Sequence, residues 1–179
     1  MKYLVCLIGL FVSLLVNGQT RLPKISSANW ITLEMDHYAI GYPDNWRIDT
    51  TRQFGADLLI FSPKESDSDR FVENVNVVVQ DLTGTELNLD KFVELTKEQL
   101  KSILTNVTII QSERVNPGAN EYHKIIFSGS QGAFTLEIEQ YVYIREGKAY
   151  LVTFTAEQKQ FARYKGVGEK VLKTFKVKG

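Results

Sequence analysis

From residue 30 onward apolar and polar side chains alternate in short runs, interrupted twice by stretches where apolar residues return every third or fourth position. Alternation marks half-buried strands, and the three-to-four spacing marks one face of a helix. In the first run Ile31, Leu33 and Met35 share one side, and Tyr38, Ile40 and Tyr42 share one side after a phase change at Asp36-His37. This is a strand with a bend or bulge, or two short strands. The stretch Tyr42-Pro43-Asp44-Asn45-Trp46 follows. Pro43 suits position i+1 and Asp44 position i+2 of a type I turn, which aims Trp46 back at the sheet and predicts its burial. Strands are expected at 57–63 and 74–82, with the polar loop 64–69 between them. Asn88 is a good N-cap for a helix whose stripe is Leu89, Phe92, Val93, Thr96, Leu100, Ile103 and Leu104. Further strands are expected at 107–115, 122–128, 133–144 and 149–155, with a hairpin loop at 129–132. A second helix closes the chain, its stripe formed by Phe161, Tyr164, Gly168, Val171, Leu172 and Phe175. The class is α+β, an antiparallel β-sheet packed with helices.

The last hairpin admits two registers. A two-residue loop at Glu146-Gly147 sets Tyr143 opposite Tyr150 and Glu139 opposite Phe154, mixing polar and apolar partners on each face. A three-residue loop instead sets Val142 with Tyr150, Gln140 with Val152 and Ile138 with Phe154. The second leaves one apolar face and one mixed face, and it is the register expected for a sheet with one wet side.

Length and composition fit one ordinary domain: 179 residues, 44% apolar and 23% charged. The N-terminus changes this count. Lys2, an uncharged apolar run over 4–16 and the small residues Val16 and Gly18 before Gln19 read as a signal peptide over 1–18. The run of 13 residues is short of the roughly 20 that span a bilayer. The expected division is therefore a signal peptide over 1–18, a flexible leader over 19–29 and a single domain over 30–179. Cys6 is the only cysteine, so the processed chain has no disulfide, thiol nucleophile or thiolate metal site. That favours a bacterial envelope or extracellular setting. Twenty-one basic residues balance 21 acidic ones, which points to no nucleic-acid partner. No stretch is read as concentrating enough Lys and Arg for an anionic membrane, and no stable membrane anchor is expected after cleavage.

Candidate chemistry is sparse. His37 stands beside Asp36 but on the opposite strand face from it and Glu34, and His123 alternates with Ile125 and Phe127. The segment Ser128-Gly129-Ser130-Gln131-Gly132 lacks the G-x-S-x-G nucleophile pattern. Asp67 and Asp69 could hold a cation only weakly, without calcium-loop spacing. Glu137 and Glu139, about 7 Å apart on one strand face, have the spacing of a glycosidase pair but also that of an exposed charged face. Tyr141 and Tyr143 share that mixed face, so Glu137, Glu139, Tyr141 and Tyr143 are the candidate partner-binding residues. No cofactor or metal site is expected. Asp49-Thr50-Thr51 resembles the acidic-hydroxyl-small motif for O-glycosylation in Bacteroidetes, and is otherwise an ordinary turn.

The order of elements, together with Tyr42, Pro43 and Trp46, then Phe61-Ser62-Pro63, Asn76 in the valine-rich strand and Phe175, resembles the PsbP-like family. The resemblance spans about 30–177 and implies a PsbP-like αβα sandwich with assembly, binding or accessory roles. The expectation is an exported non-catalytic accessory or protein-binding module, periplasmic or extracellular, bacterial and possibly from Bacteroidetes, with an unknown protein partner. The competing expectation is a hydrolase or metal-dependent enzyme using His37, His123 or the Glu137/Glu139 pair.

Overall fold

The computed structural model describes residues 29–116, 118 and 120–178. The expected signal peptide over 1–18 and nearly all of the expected leader lie outside the described residues. Ten strands and two helices follow in the order β1 (Trp30–Glu34), β2 (Tyr38–Pro43), β3 (Arg47–Asp49), β4 (Leu58–Phe61), β5 (Asn74–Asp81), α1 (Leu89–Ile103), β6 (Thr105–Val115), β7 (Tyr122–Gln131), β8 (Phe134–Arg145), β9 (Lys148–Glu157), α2 (Gln158–Thr174) and β10 (Lys176–Val177). Seven strands form one antiparallel sheet in the order β3-β4-β5-β9-β8-β7-β6, and β1-β2-β10 form a smaller one.

The central strands of the large sheet are buried on both faces, while the edge strand β6 is largely exposed. Leu136, Ile138, Val142 and Leu151 pack with Phe92, Val93 and Leu100 of α1. Tyr141, Tyr143, Val152 and Phe154 pack on the other side with Phe161, Tyr164 and Val171 of α2 and with Tyr38 and Ile40 of β2. Alternation along β8 therefore sorts side chains between two apolar layers instead of between core and water. The fold is the expected α+β sandwich of helix, sheet and helix.

Local signals account for most of the boundaries. Asn88 caps α1, its side chain accepting from the Lys91 N–H at 2.9 Å. Trp46 is 6% exposed within the α2-side core. The turn before it is displaced by one residue from the expected position. The Trp46 N–H donates to the Pro43 carbonyl at 2.9 Å, so Asp44 and Asn45 are the central residues and Pro43 ends β2. The 129–132 segment is also mostly strand, because β7 runs to Gln131 and pairs it with Phe134, leaving Gly132 and Ala133 as the turn. Gly129 sits inside β7, where a Cβ would lie 3.0 Å from Leu104.

The final hairpin takes the register the sequence reading set aside. Tyr143 faces Tyr150, Tyr141 faces Val152 and Glu139 faces Phe154. Glu146 and Gly147 form a two-residue loop with φ of 49° and 69°, as a type I′ turn requires at both central positions. The choice of one clean apolar face assumed a wet side that this sheet lacks.

Helix α2 approaches the sheet most closely at Gly168. A Cβ there would fall 2.5 Å from Phe154 Cγ, whereas at Gly166, two residues earlier, it would meet nothing within 4 Å. Gly168→Ala should therefore lower stability by about 1 to 3 kcal/mol through overpacking. Gly166→Ala should raise it by up to about 1 kcal/mol through helix propensity alone. Chemical melts of the two variants against the parent check the contrast, and equal shifts would contradict this account of the contact.

Candidate functional site

Glu139 is the most deeply buried carboxylate on the final hairpin, fully inaccessible. Its Oε1 lies 3.0 Å from Lys124 Nζ and accepts from the Tyr141 hydroxyl at 3.2 Å. Lys124 comes from β7 and stands opposite Tyr141, one diagonal step from Glu139, while Glu139 itself faces Ile126. Helix α2 closes the cluster. Its Glu169 is 3.9 Å from Lys124 and 2.7 Å from Lys173. Tyr122 stacks on Tyr141 with ring centroids 4.5 Å apart and touches Tyr143 at 5.2 Å.

The candidate residues are thus brought together, but as interior. Tyr141 is 1% exposed and Tyr143 6%, which corrects the reading of them as unpacked surface tyrosines. Burial pushes both hydroxyls above the ordinary tyrosine range, with the Glu139 charge adding to the effect at Tyr141 and Tyr122 at Tyr143. Glu137 shares the face and keeps part of its surface. Its carboxyl is raised by burial, an effect Lys165 opposes and Glu139 reinforces. The two glutamates have the relation expected along one strand, yet Glu139 is sealed beneath α2 and tied to Lys124. That position gives substrate no access to it.

The histidines lie apart. His37 is exposed in the bend between β1 and β2, and the Lys178 N–H donates to its carbonyl at 2.9 Å. His123 is half-buried on β7, its Nε2 2.8 Å from Ser112 Oγ on β6. Its Nδ1 is buried with no hydrogen-bond partner among the described residues. The tautomer that avoids stranding a buried donor places the proton on Nε2, donating to Ser112. The basic lone pair then points away from the hydroxyl, the reverse of what a serine nucleophile needs. Burial, then the nearby Lys97, lowers the imidazole pKa.

A second cluster went unnoticed in the sequence. A polar groove of about 600 Å³ runs between the 64–70 loop, the β7–β8 turn and the start of α2, lined by Glu65, Asp69, Arg70, Phe134, Glu157 and Gln160 among others. The Glu65 carboxylate accepts from the Tyr164 hydroxyl at 2.9 Å and from Gln160 Nε2 at 3.2 Å, and pairs with Arg163 at 2.7 Å. Asp69 accepts the backbone N–H groups of Glu65 and Phe71. The carboxylate nominated as a weak cation ligand therefore shapes its own loop, while Asp67 is exposed. Among the described residues no group of three or more His, Cys, Asp or Glu could hold a metal ion. Glu73, at the end of this loop and 2% exposed, is pushed up to about 7 by burial, with Asp69, Glu65 and Glu157 adding repulsion. At the 49–51 motif Asp49 accepts from both the N–H and the hydroxyl of Thr51, and Thr50 is exposed.

Two of these groups predict stability effects. Lys124→Met strands the Glu139 charge and should cost about 3 to 5 kcal/mol, whereas adding Glu139→Leu should recover most of the loss. A double-mutant cycle by chemical melt measures this, and a small single-variant cost would show the pair to be solvated. Glu73 is easier to protonate folded than unfolded, so its contribution is fully present below about pH 4.5 and is lost as pH rises through 7. The decline amounts to about 3 kcal/mol. Glu73→Gln should flatten it, as read by melts at several pH values.

No protein-family model matches the chain, and no curated protein matches it. Solved structures do. The solution structure of cyanobacterial PsbP (CyanoP) from Synechocystis superposes with a TM-score of 0.66 at 13% identity, covering 89% of this chain and 98% of that one. LpqN of Mycobacterium tuberculosis, described as involved in cell envelope biogenesis, gives 0.59 at 13% identity over 84% and 91%. A Pseudomonas aeruginosa protein described as a putative regulator gives 0.57 at 11% over 81% and 94%. With the two-helix, seven-strand sandwich already described, these likenesses establish that the chain has the PsbP-like fold.

Proposed function

We propose that the protein is an exported, non-catalytic accessory module of the bacterial envelope that acts by holding a protein partner. The observation that carries this reading is the fate of Glu139, the hairpin's best candidate for acid or base chemistry. It is fully buried and serves to fasten β7, β8 and α2 to one another. The His123–Ser112 pair supports the same reading, since the tautomer that strands no buried donor turns the imidazole lone pair away from the hydroxyl. The envelope setting rests on the N-terminal pattern and on the description printed for LpqN. Among the described residues no helix is long and apolar enough to cross a membrane. Of the four candidate contact residues, Glu137 keeps part of its surface, while Glu139, Tyr141 and Tyr143 are buried further along the same strand face.

The test is capture of partners by tagged protein from the envelope of its native host, with intact-mass analysis of the recovered chain. A single enriched protein and cleavage after Gly18 are expected. His123→Ala and Glu137→Gln, one at a time, should leave the folded state intact, and His123→Ala should leave capture unchanged. Loss of a hydrolytic or metal-dependent activity in either variant would favour the enzyme reading instead.

A further inference from the structure

The C-terminal segment is rich in basic residues, and helix geometry sets four of them on one face. Lys159, Arg163, Lys170 and Lys173 occupy α2 at spacings of four, seven and three, with the exposed Gly166 in the gap. At 3.6 residues per turn these positions form one stripe about 21 Å long on the helix face opposite the core. Lys165 flanks it and Lys176 extends it, both exposed. Between residues 158 and 178 there are seven basic residues and one acid in a chain of zero net charge, so the remainder is acidic by six. The basic excess of the chain is thus concentrated in its C-terminal segment, where Glu65, Glu157 and Glu169 are the neighbouring acids.

We infer that this stripe is a reversible docking surface for an anionic lipid bilayer, lying flat with α2 against the headgroups. The inference goes beyond the accessory-module reading and does not rest on it. Three features favour lipid over a fixed macromolecular partner. The stripe runs along an outward helix face and consists mainly of lysines, which act as mobile point charges, whereas specific carboxylate or phosphate recognition favours the rigid fork of arginine. The stripe's cations keep exposed surface within their local ion pairs: Lys159 with Glu157 at 3.2 Å, Lys173 with Glu169 at 2.7 Å and Arg163 with Glu65 at 2.7 Å, the cation side chains being 71%, 58% and 42% exposed against 18%, 26% and 18% for the carboxylates. Such pairs contribute little and do not withhold the cations from a headgroup phosphate. Finally, Lys170 lies 4.0 Å over the half-buried Trp30 ring, and indoles are enriched at the membrane–water boundary.

Lysine-acylation footprinting of the full chain on vesicles tests this, with the N-terminal residues identical in every sample. Phosphatidylglycerol vesicles should protect Lys159, Lys165, Lys170, Lys173 and Lys176 but not Lys91, Lys97 and Lys101 of α1. Neutral phosphatidylcholine vesicles should protect neither set. Protection should vanish in about 1 M salt, where charges are screened beyond about 3 Å. Replacing Lys165, Lys170 and Lys173 with Gln should lower partitioning onto anionic vesicles on the order of a hundredfold, and the same change at Lys91, Lys97 and Lys101 should have a much smaller effect. Equal protection of the two helices, protection that survives high salt, or protection by an acidic protein without protection by lipid would overturn the proposal.

Discussion

A sheet with a helix on each face has no wet side, and the rest of this molecule is arranged around that constraint. Polar side chains in the middle of β8 and β9, such as Glu139, Gln140, Thr153 and Thr155, enter an apolar layer, where an unpaired group costs several kcal/mol. Gln140 meets Thr153 across the strands, its Nε2 2.9 Å from the hydroxyl. Glu139 cannot be satisfied within its own hairpin, so the neighbouring strand supplies Lys124 and α2 supplies Glu169 next to it. The polar residues of the interior thereby fix which strands and which helix sit together. Apolar packing alone would tolerate more than one arrangement.

How much of this was legible in the chain varied with how local the signal was. Helix α1 could be read because its cap and stripe lie within 17 residues, and Trp46 because a turn precedes it. The hairpin register could not, because the test applied to it was the cleanliness of one face. That criterion holds for a one-sided sheet and fails when both faces are dry. With the register misassigned, Tyr141 and Tyr143 were left without packing partners and became candidate contacts. In the correct register Lys124 stands a diagonal step from Glu139, a relation visible only once three strands are aligned. Glu73 was equally hidden, since its neighbours come from the 64–70 loop and the end of β9.

The same non-local logic governs charge. Lys159, Arg163, Lys170 and Lys173 are unremarkable along the sequence, and only helical geometry makes them a stripe. Conversely, Glu65 and Asp69 are ordinary loop acids in the sequence, with Asp69 at most a weak cation ligand. In the fold they spend their lone pairs on Tyr164, Gln160, Arg163 and backbone N–H groups. Composition describes both patches poorly, because function at a surface depends on which side chains share a direction.

The outer edge of the large sheet is β6, eleven residues long and carrying the exposed Ile109 and Ile110. An edge of that length invites strand addition by another copy. Two breaks in its pairing with β7, between Thr105 and Thr108 and between Ile109 and Gln111, interrupt the ladder, and Asn106 at φ 54° turns the backbone out of line. A second chain meeting this edge finds no straight run longer than a few residues against which to zip. An irregular rim of this kind makes a poor template for edge-to-edge pairing, even with two greasy side chains exposed on it.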